Sequence, residues 1–156
     1  MEQPGILKRL FPDKVITISA VDGSRTIPNS GDIFKTWIDP GFEKWDLNKL
    51  DQKTPEIKIQ MYKMLQDANF KQVFCSLNDD LDKLCLTQHQ ITKFCVDNQK
   101  YYRENGRRLF FLFKVGGKYF VAYVFVTSDG LDVVVYRLIH NRVWSAGSIR
   151  RLVVPQ

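Results

Sequence analysis

Residues 109–139 read LFFLFKVGGKYFVAYVFVTSDGLDVVVYRLI, and this stretch decides the fold. Leu109–Val115, Lys118–Val126 and Leu131–Ile139 are dense in Phe, Tyr and Val, residues that suit a pleated, packed surface. Gly116-Gly117 and Asp129-Gly130 separate them, and both dipeptides supply the positive φ of a two-residue hairpin loop. The pattern predicts three consecutive antiparallel strands. Counting outward from the loops sorts the side chains onto two faces. One carries Leu109, Phe111, Phe113, Phe120, Ala122, Val124, Val126, Val133, Val135 and Ile139, with Arg137 as its one charge. The other carries Phe110, Leu112, Lys114, Tyr119, Val121, Tyr123, Phe125, Asp132, Val134, Tyr136 and Leu138. A one-residue slip in either loop would mix the two sets.

The first face is core, and helices from the first two thirds of the chain are expected to cover it, giving a layered α+β domain. The second face is neither polar nor aliphatic. Tyr119, Tyr123 and Tyr136 cluster there with Phe110 and Phe125, and tyrosine suits a place with one dry side and one wet side. Two readings stand. A helix or the N-terminal hairpin covers this face, or it is an open platform on which bases or a partner chain stack. In the second reading Arg107, Arg108, Lys114 and Lys118 flank it.

The charge balance points to the same region. From Arg103 onward there are nine Lys and Arg against three Asp and Glu, and the first 102 residues carry 14 of each. The net charge is +6 and the isoelectric point near 9.3, which permits nucleic acid as a partner without requiring it. Near the end, Arg142, Trp144, Arg150 and Arg151 form a possible phosphate-contacting edge, or a charged edge strand over Arg150–Val154 that discourages aggregation.

Working toward the N-terminus, Thr87 and Gln90 form a capping box, with Leu86 and Ile91 as its hydrophobic staple. They open a helix that buries Ile91, Phe94, Cys95 and Tyr102 and ends by Asn105-Gly106. Thr54-Pro55-Glu56 is a second helix start, with Ile57, Met61, Met64, Leu65 and Ala68 as the stripe. Asn69–Leu77 is a further helical candidate. Asp32–Ile38 reads as a short helix, and Phe42–Lys53 as a polar connection pinning Trp45 and Leu47. Val15–Val21 alternates as a strand, and Asp22-Gly23 turns it toward a return strand at Ser24–Ile27. Met1–Pro12 reads as a tail. One domain over residues 1–156 is expected, helical over about 30–105 and a β-meander over about 107–155.

Motifs with chemistry are few. Leu84–Phe94 reads like the second half of a helix-turn-helix, which would turn Gln88, His89, Thr92 and Lys93 toward a groove; a self-capped helix explains the same residues. Cys75, Cys85, His89 and Cys95 have zinc-site composition but no C-x-x-C spacing, so no metal and no cofactor is expected. Asp79, Asp80 and Asp82 read as a cap region rather than a magnesium site. The odd cysteine count, and no export signal legible in Met1–Phe11, point to the cytoplasm, and no apolar run is long enough for a membrane helix.

The segments Leu81–Gln88, Phe110–Gly116 and Arg150–Pro155 resemble a group of short bacterial proteins from metagenomic assemblies, to which no activity is assigned. The likeness runs from about Trp37 onward. It implies a bacterial cytosolic origin and no mechanism. The residues themselves favour a non-enzymatic protein that contacts nucleic acid or a ribonucleoprotein through Arg107, Arg108, Lys114, Lys118, Tyr119, Tyr123, Tyr136, Arg142, Arg150 and Arg151. A protein–protein module or homodimer using the aromatic face, and an enzyme with a dispersed site, are the alternatives.

Overall fold

The computed structural model describes residues 5–156. In chain order its elements are β1 (Leu7–Leu10), β2 (Ile16–Ile18), β3 (Trp37–Ile38), α1 (Gly41–Lys44), β4 (Ile57–Met64), α2 (Phe70–Cys75), α3 (Gln88–Asp97), β5 (Arg108–Val115), β6 (Lys118–Thr127), β7 (Gly130–Arg137) and β8 (Gly147–Pro155). Short 3-10 turns occupy Leu81–Leu84 and Gln99–Tyr101. The strands make one sheet in the order β1-β4-β8-β5-β6-β7-β3, with β2 also paired to β4. The fold is therefore α+β, with a mostly antiparallel sheet; β5 with β8 and β3 with β7 are the parallel pairs. No helix among the described residues is long and apolar enough to cross a membrane.

β5, β6 and β7 pair as consecutive antiparallel strands. Val115 opposes Lys118, so Gly116-Gly117 is the whole loop, with φ of 59° and 78°. At the next turn Thr127 opposes Gly130, so the loop is Ser128-Asp129 rather than Asp129-Gly130. That shift moves each facing pair by two residues, an even number, and leaves the face partition unchanged. Leu109, Phe111, Phe113, Phe120, Ala122, Val124, Val126, Val133 and Val135 enter one core with Phe34, Phe42, Ile91, Phe94 and Val153. Phe110, Leu112, Val121, Tyr123 and Leu138 enter the other with Phe70, Phe74, Trp144 and Leu152. A strand apolar at both parities, such as LFFLF, has two buried faces. The second face is covered by α2 and by the segment 138–146, which crosses the sheet from β7 to β8.

Thr54-Pro55-Glu56 starts no helix. IKIQMYKM is β4, with Ile59 and Met61 buried in the first core and Met64 in the second. Its apolar residues fit both a 3.6 and a 2.0 period, and partners on both edges decide for the strand: β8 on one side, β1 and β2 end to end on the other. Thr54 uses its backbone to pair with Val21. Part of the expected tail is therefore β1, while Met1–Pro4 lie outside the described residues. The N-terminal hairpin is likewise replaced. Asp22-Gly23 does turn the chain, but the Thr26 N–H goes to Asn29 and the Ile27 N–H to Gln88, so no return strand forms. Asp32–Ile38 makes one turn, then extends as β3. Asp39 holds it there, its carboxylate accepting from the Gly41 and Val135 N–H groups at 2.8 and 3.1 Å.

α3 starts as expected, with both capping-box hydrogen bonds between Thr87 and Gln90 present. It stops at Asp97 rather than near Asn105. The groove-facing reading of this helix is overturned. Gln88 is 1% exposed and clamps two loops, its Oε1 accepting from Ile27 N–H at 2.9 Å and its Nε2 donating to the Leu47 carbonyl at 2.8 Å. Thr92 is buried and Lys93 pairs with Asp97 at 3.0 Å. Gln88→Leu strands two buried backbone groups, so urea unfolding should show a loss of about 2 kcal/mol.

His89 packs beside the same clamp. Its Nδ1 accepts the Gly23 N–H at 3.1 Å. Burial lowers its pKa, against the opposing pull of the Asp22 carboxylate 3.4 Å away. A folded-state pKa below the unfolded value means the neutral ring stabilises the fold. That contribution is complete above the unfolded value of about 6.5 and is lost as pH falls through the folded value. Thermal melts from about pH 8 to pH 5.5 should therefore show a falling midpoint that flattens in His89→Gln.

Candidate anion-binding site

Alternation places Arg108 and Arg150 on the second face, at the end where β5 and β8 begin. They are direct register partners across this parallel pair. Like charges directly opposite one another on neighbouring strands are destabilising, by up to about 1 kcal/mol. The sheet nevertheless holds them together. Arg108 donates to the Tyr123 hydroxyl at 2.7 Å and lies 4.0 Å from the centroid of the Phe125 ring. Arg150 donates to the Ser145 carbonyl at 3.1 Å. The Nε–H of each is buried with no acceptor, and neither pairs with a carboxylate among the described residues.

The crossing segment adds a third guanidinium. Ala68 and Trp144 exchange backbone hydrogen bonds of 3.1 and 2.9 Å, which fixes Trp144 over the sheet. Trp144 stacks on Tyr123 with centroids 5.2 Å apart and meets Tyr136 edge-on at 5.4 Å. Arg142 lies 4.2 Å from the Trp144 centroid and also lacks a carboxylate partner among the described residues. The order is cation, indole, phenol, cation. Burial raises the Tyr123 pKa, and Arg108 and Arg150 oppose the shift, so the phenol stays a neutral donor–acceptor at neutral pH.

The remaining predicted residues do not join this group. Tyr123 is 6% exposed and Tyr136 half-buried, so the tyrosine face is no open platform. Arg107 pairs with Glu104 at 2.6 Å. Arg151 points to the opposite face, where it is buried, donates to the Tyr101 carbonyl and lies over Phe11. Lys114 and Tyr119 both bond to Asp82, at 3.0 and 2.6 Å, which ties the Leu81–Leu84 turn to the sheet. Those two bonds hold the Asp82 carboxyl below its ordinary range. Lys118 is exposed at the other end of the sheet, seven residues or about 24 Å away along β5.

The sequence reading did not pick out Phe125 as a cation partner, or Trp45 with Arg137. The signal for Phe125 was present in the hairpin count, which sets it opposite Arg108. Cys85 is a free thiol whose pKa burial pushes up to about 12, and Cys95 is pushed up further by the same cause. Among the described residues, no three His, Cys, Asp or Glu side chains gather where a metal ion would fit. Comparison with protein-family models, with curated proteins and with solved structures gave no match in any of the three.

Proposed function

We propose that the protein binds nucleic acid by its phosphate backbone, through Arg108, Arg150 and Arg142. The observation that carries this is the Arg108–Arg150 pair: two cationic side chains in direct register, neither with a carboxylate partner among the described residues. Two guanidiniums in register without a carboxylate partner leave positive charge for a phosphodiester to compensate, through terminal N–H groups that face solvent. The aromatic rings beneath are occupied, so they orient the guanidiniums instead of stacking with bases. Recognition of this kind is tolerant of sequence. A cytoplasmic setting goes with this reading, since a reducing compartment keeps Cys75, Cys85 and Cys95 as free thiols.

The test is anisotropy of a labelled single-stranded oligonucleotide and a labelled duplex, titrated over about 25–300 mM salt. Binding should weaken linearly on a log–log plot, with a slope of about −2 for three phosphate contacts on a single strand. No binding of either probe at the lowest salt sinks the proposal.

A further inference from the structure

At the opposite end of the sheet, on the other face, a cleft of about 680 Å³ opens between α1 and the Gly116-Gly117 hairpin. Trp45 forms its floor. The indole stacks on Phe120 with centroids 6.0 Å apart, and the Arg137 guanidinium lies 4.8 Å from its centroid. Phe120 and Arg137 are cross-strand partners pointing the same way, and the indole packs against both. Trp45 keeps 37% of its surface exposed.

The walls are cationic. Lys44, Lys49, Lys118 and Arg137 line the cleft against one carboxylate, Asp46, which Lys49 takes at 3.2 Å. Lys44, Lys118 and Arg137 have no acidic partner among the described residues. A flat, exposed π-surface beside three uncompensated cations suits a ligand with a planar ring and an anionic group a few ångströms away.

We infer that this cleft binds a nucleotide, its base stacked on Trp45 and its phosphate held by Lys118, Arg137 and Lys44. Neither surface needs the other: they share no residue, lie on opposite faces and are separated by the length of β5. A free nucleotide and a nucleotide unit within a strand share this chemistry.

The experiment is tryptophan fluorescence of the full chain, titrated with AMP, adenosine and an oligo-dA strand. AMP should quench saturably, with half-saturation below about 1 mM, and adenosine should bind at least about tenfold more weakly for want of the charge-assisted bonds. Lys118→Ser and Arg137→Gln, both exposed, should each weaken AMP by about tenfold with the fold intact by circular dichroism. Trp45→Leu should abolish the quenching. The response should survive in the Arg108→Gln/Arg150→Gln variant, which separates this site from the arginine pair. A strand that binds no better than AMP points to a free nucleotide, and a strand that binds at least tenfold tighter through Trp45 points to nucleic acid; either supports the site. Absence of saturable quenching by AMP and the strand, or quenching unchanged in both Lys118→Ser and Arg137→Gln, overturns it.

Discussion

Gly23→Ala is expected to destabilise the protein by about 3 kcal/mol, lowering the thermal midpoint by about 6–12 °C. Two costs add. Gly23 sits at φ +80°, where an alanine Cβ is strained by about 1–2 kcal/mol. A Cβ built there would also lie 2.3 Å from the Asp51 carbonyl oxygen and 2.8 Å from the Gln52 carbonyl carbon and oxygen. Those are backbone atoms and cannot rotate away, so the 51–52 segment has to move. Movement there disturbs the neighbouring pairing of Val21 with Thr54 and the bond from Gly23 to His89. Gly31→Ala is the control. Nothing lies within 4 Å of its Cβ position, and it should melt within about a degree of the parent. Equal melting of the two variants would show that the Gly23 contact is not felt.

The second large effect is on binding. Arg108→Gln/Arg150→Gln should reduce affinity for a single-stranded oligonucleotide by about 100-fold at low salt, the loss of two charge-assisted contacts. It should also make the salt slope shallower by about 1.4. Stability should move the other way. Removing one charge of a like-charge register pair relieves repulsion, so Arg150→Gln alone should melt at or slightly above the parent temperature. Loss of binding with retained or raised stability is the pattern of a ligand site. A structural arginine would lose stability instead, as Arg151 is placed to do from its buried bond to Tyr101.

Local signals carried the parts of the fold that were legible in the sequence. Gly116-Gly117 fixes its hairpin within four residues, and the Thr87/Gln90 box fixes the start of α3 within four. β4 was not legible as a strand, because its partners in β8 lie far along the chain, as Pro155 does from Ile59, and its apolar spacing fits a helix equally well. β3 depends on Asp39 reaching Val135, which no local pattern announces. The arginines of the candidate site were legible as charges but not as a pair. Arg108 and Arg150 meet only because β8 inserts between β4 and β5 after the crossing segment. The neighbour Arg151, one residue on, is sent by strand alternation to the other face. The two faces of β5, β6 and β7 follow the expected partition, because a loop that is off by one residue at each end of the pair changes register by an even number; Ile139, expected on the core face, lies beyond the end of β7 and is exposed.

A phosphate bound to these two guanidiniums changes the electronic environment of the Nε–H groups of Arg108 and Arg150, buried though they are. Proton–nitrogen correlation spectra of the arginine Nε–H groups, recorded during titration with an unlabelled oligonucleotide, observe those two atoms directly. The Arg108 and Arg150 signals, assigned by their Gln variants, should shift together and saturate as the strand binds, with slower exchange against water. Both signals unmoved at a saturating strand concentration would contradict phosphate binding at this pair.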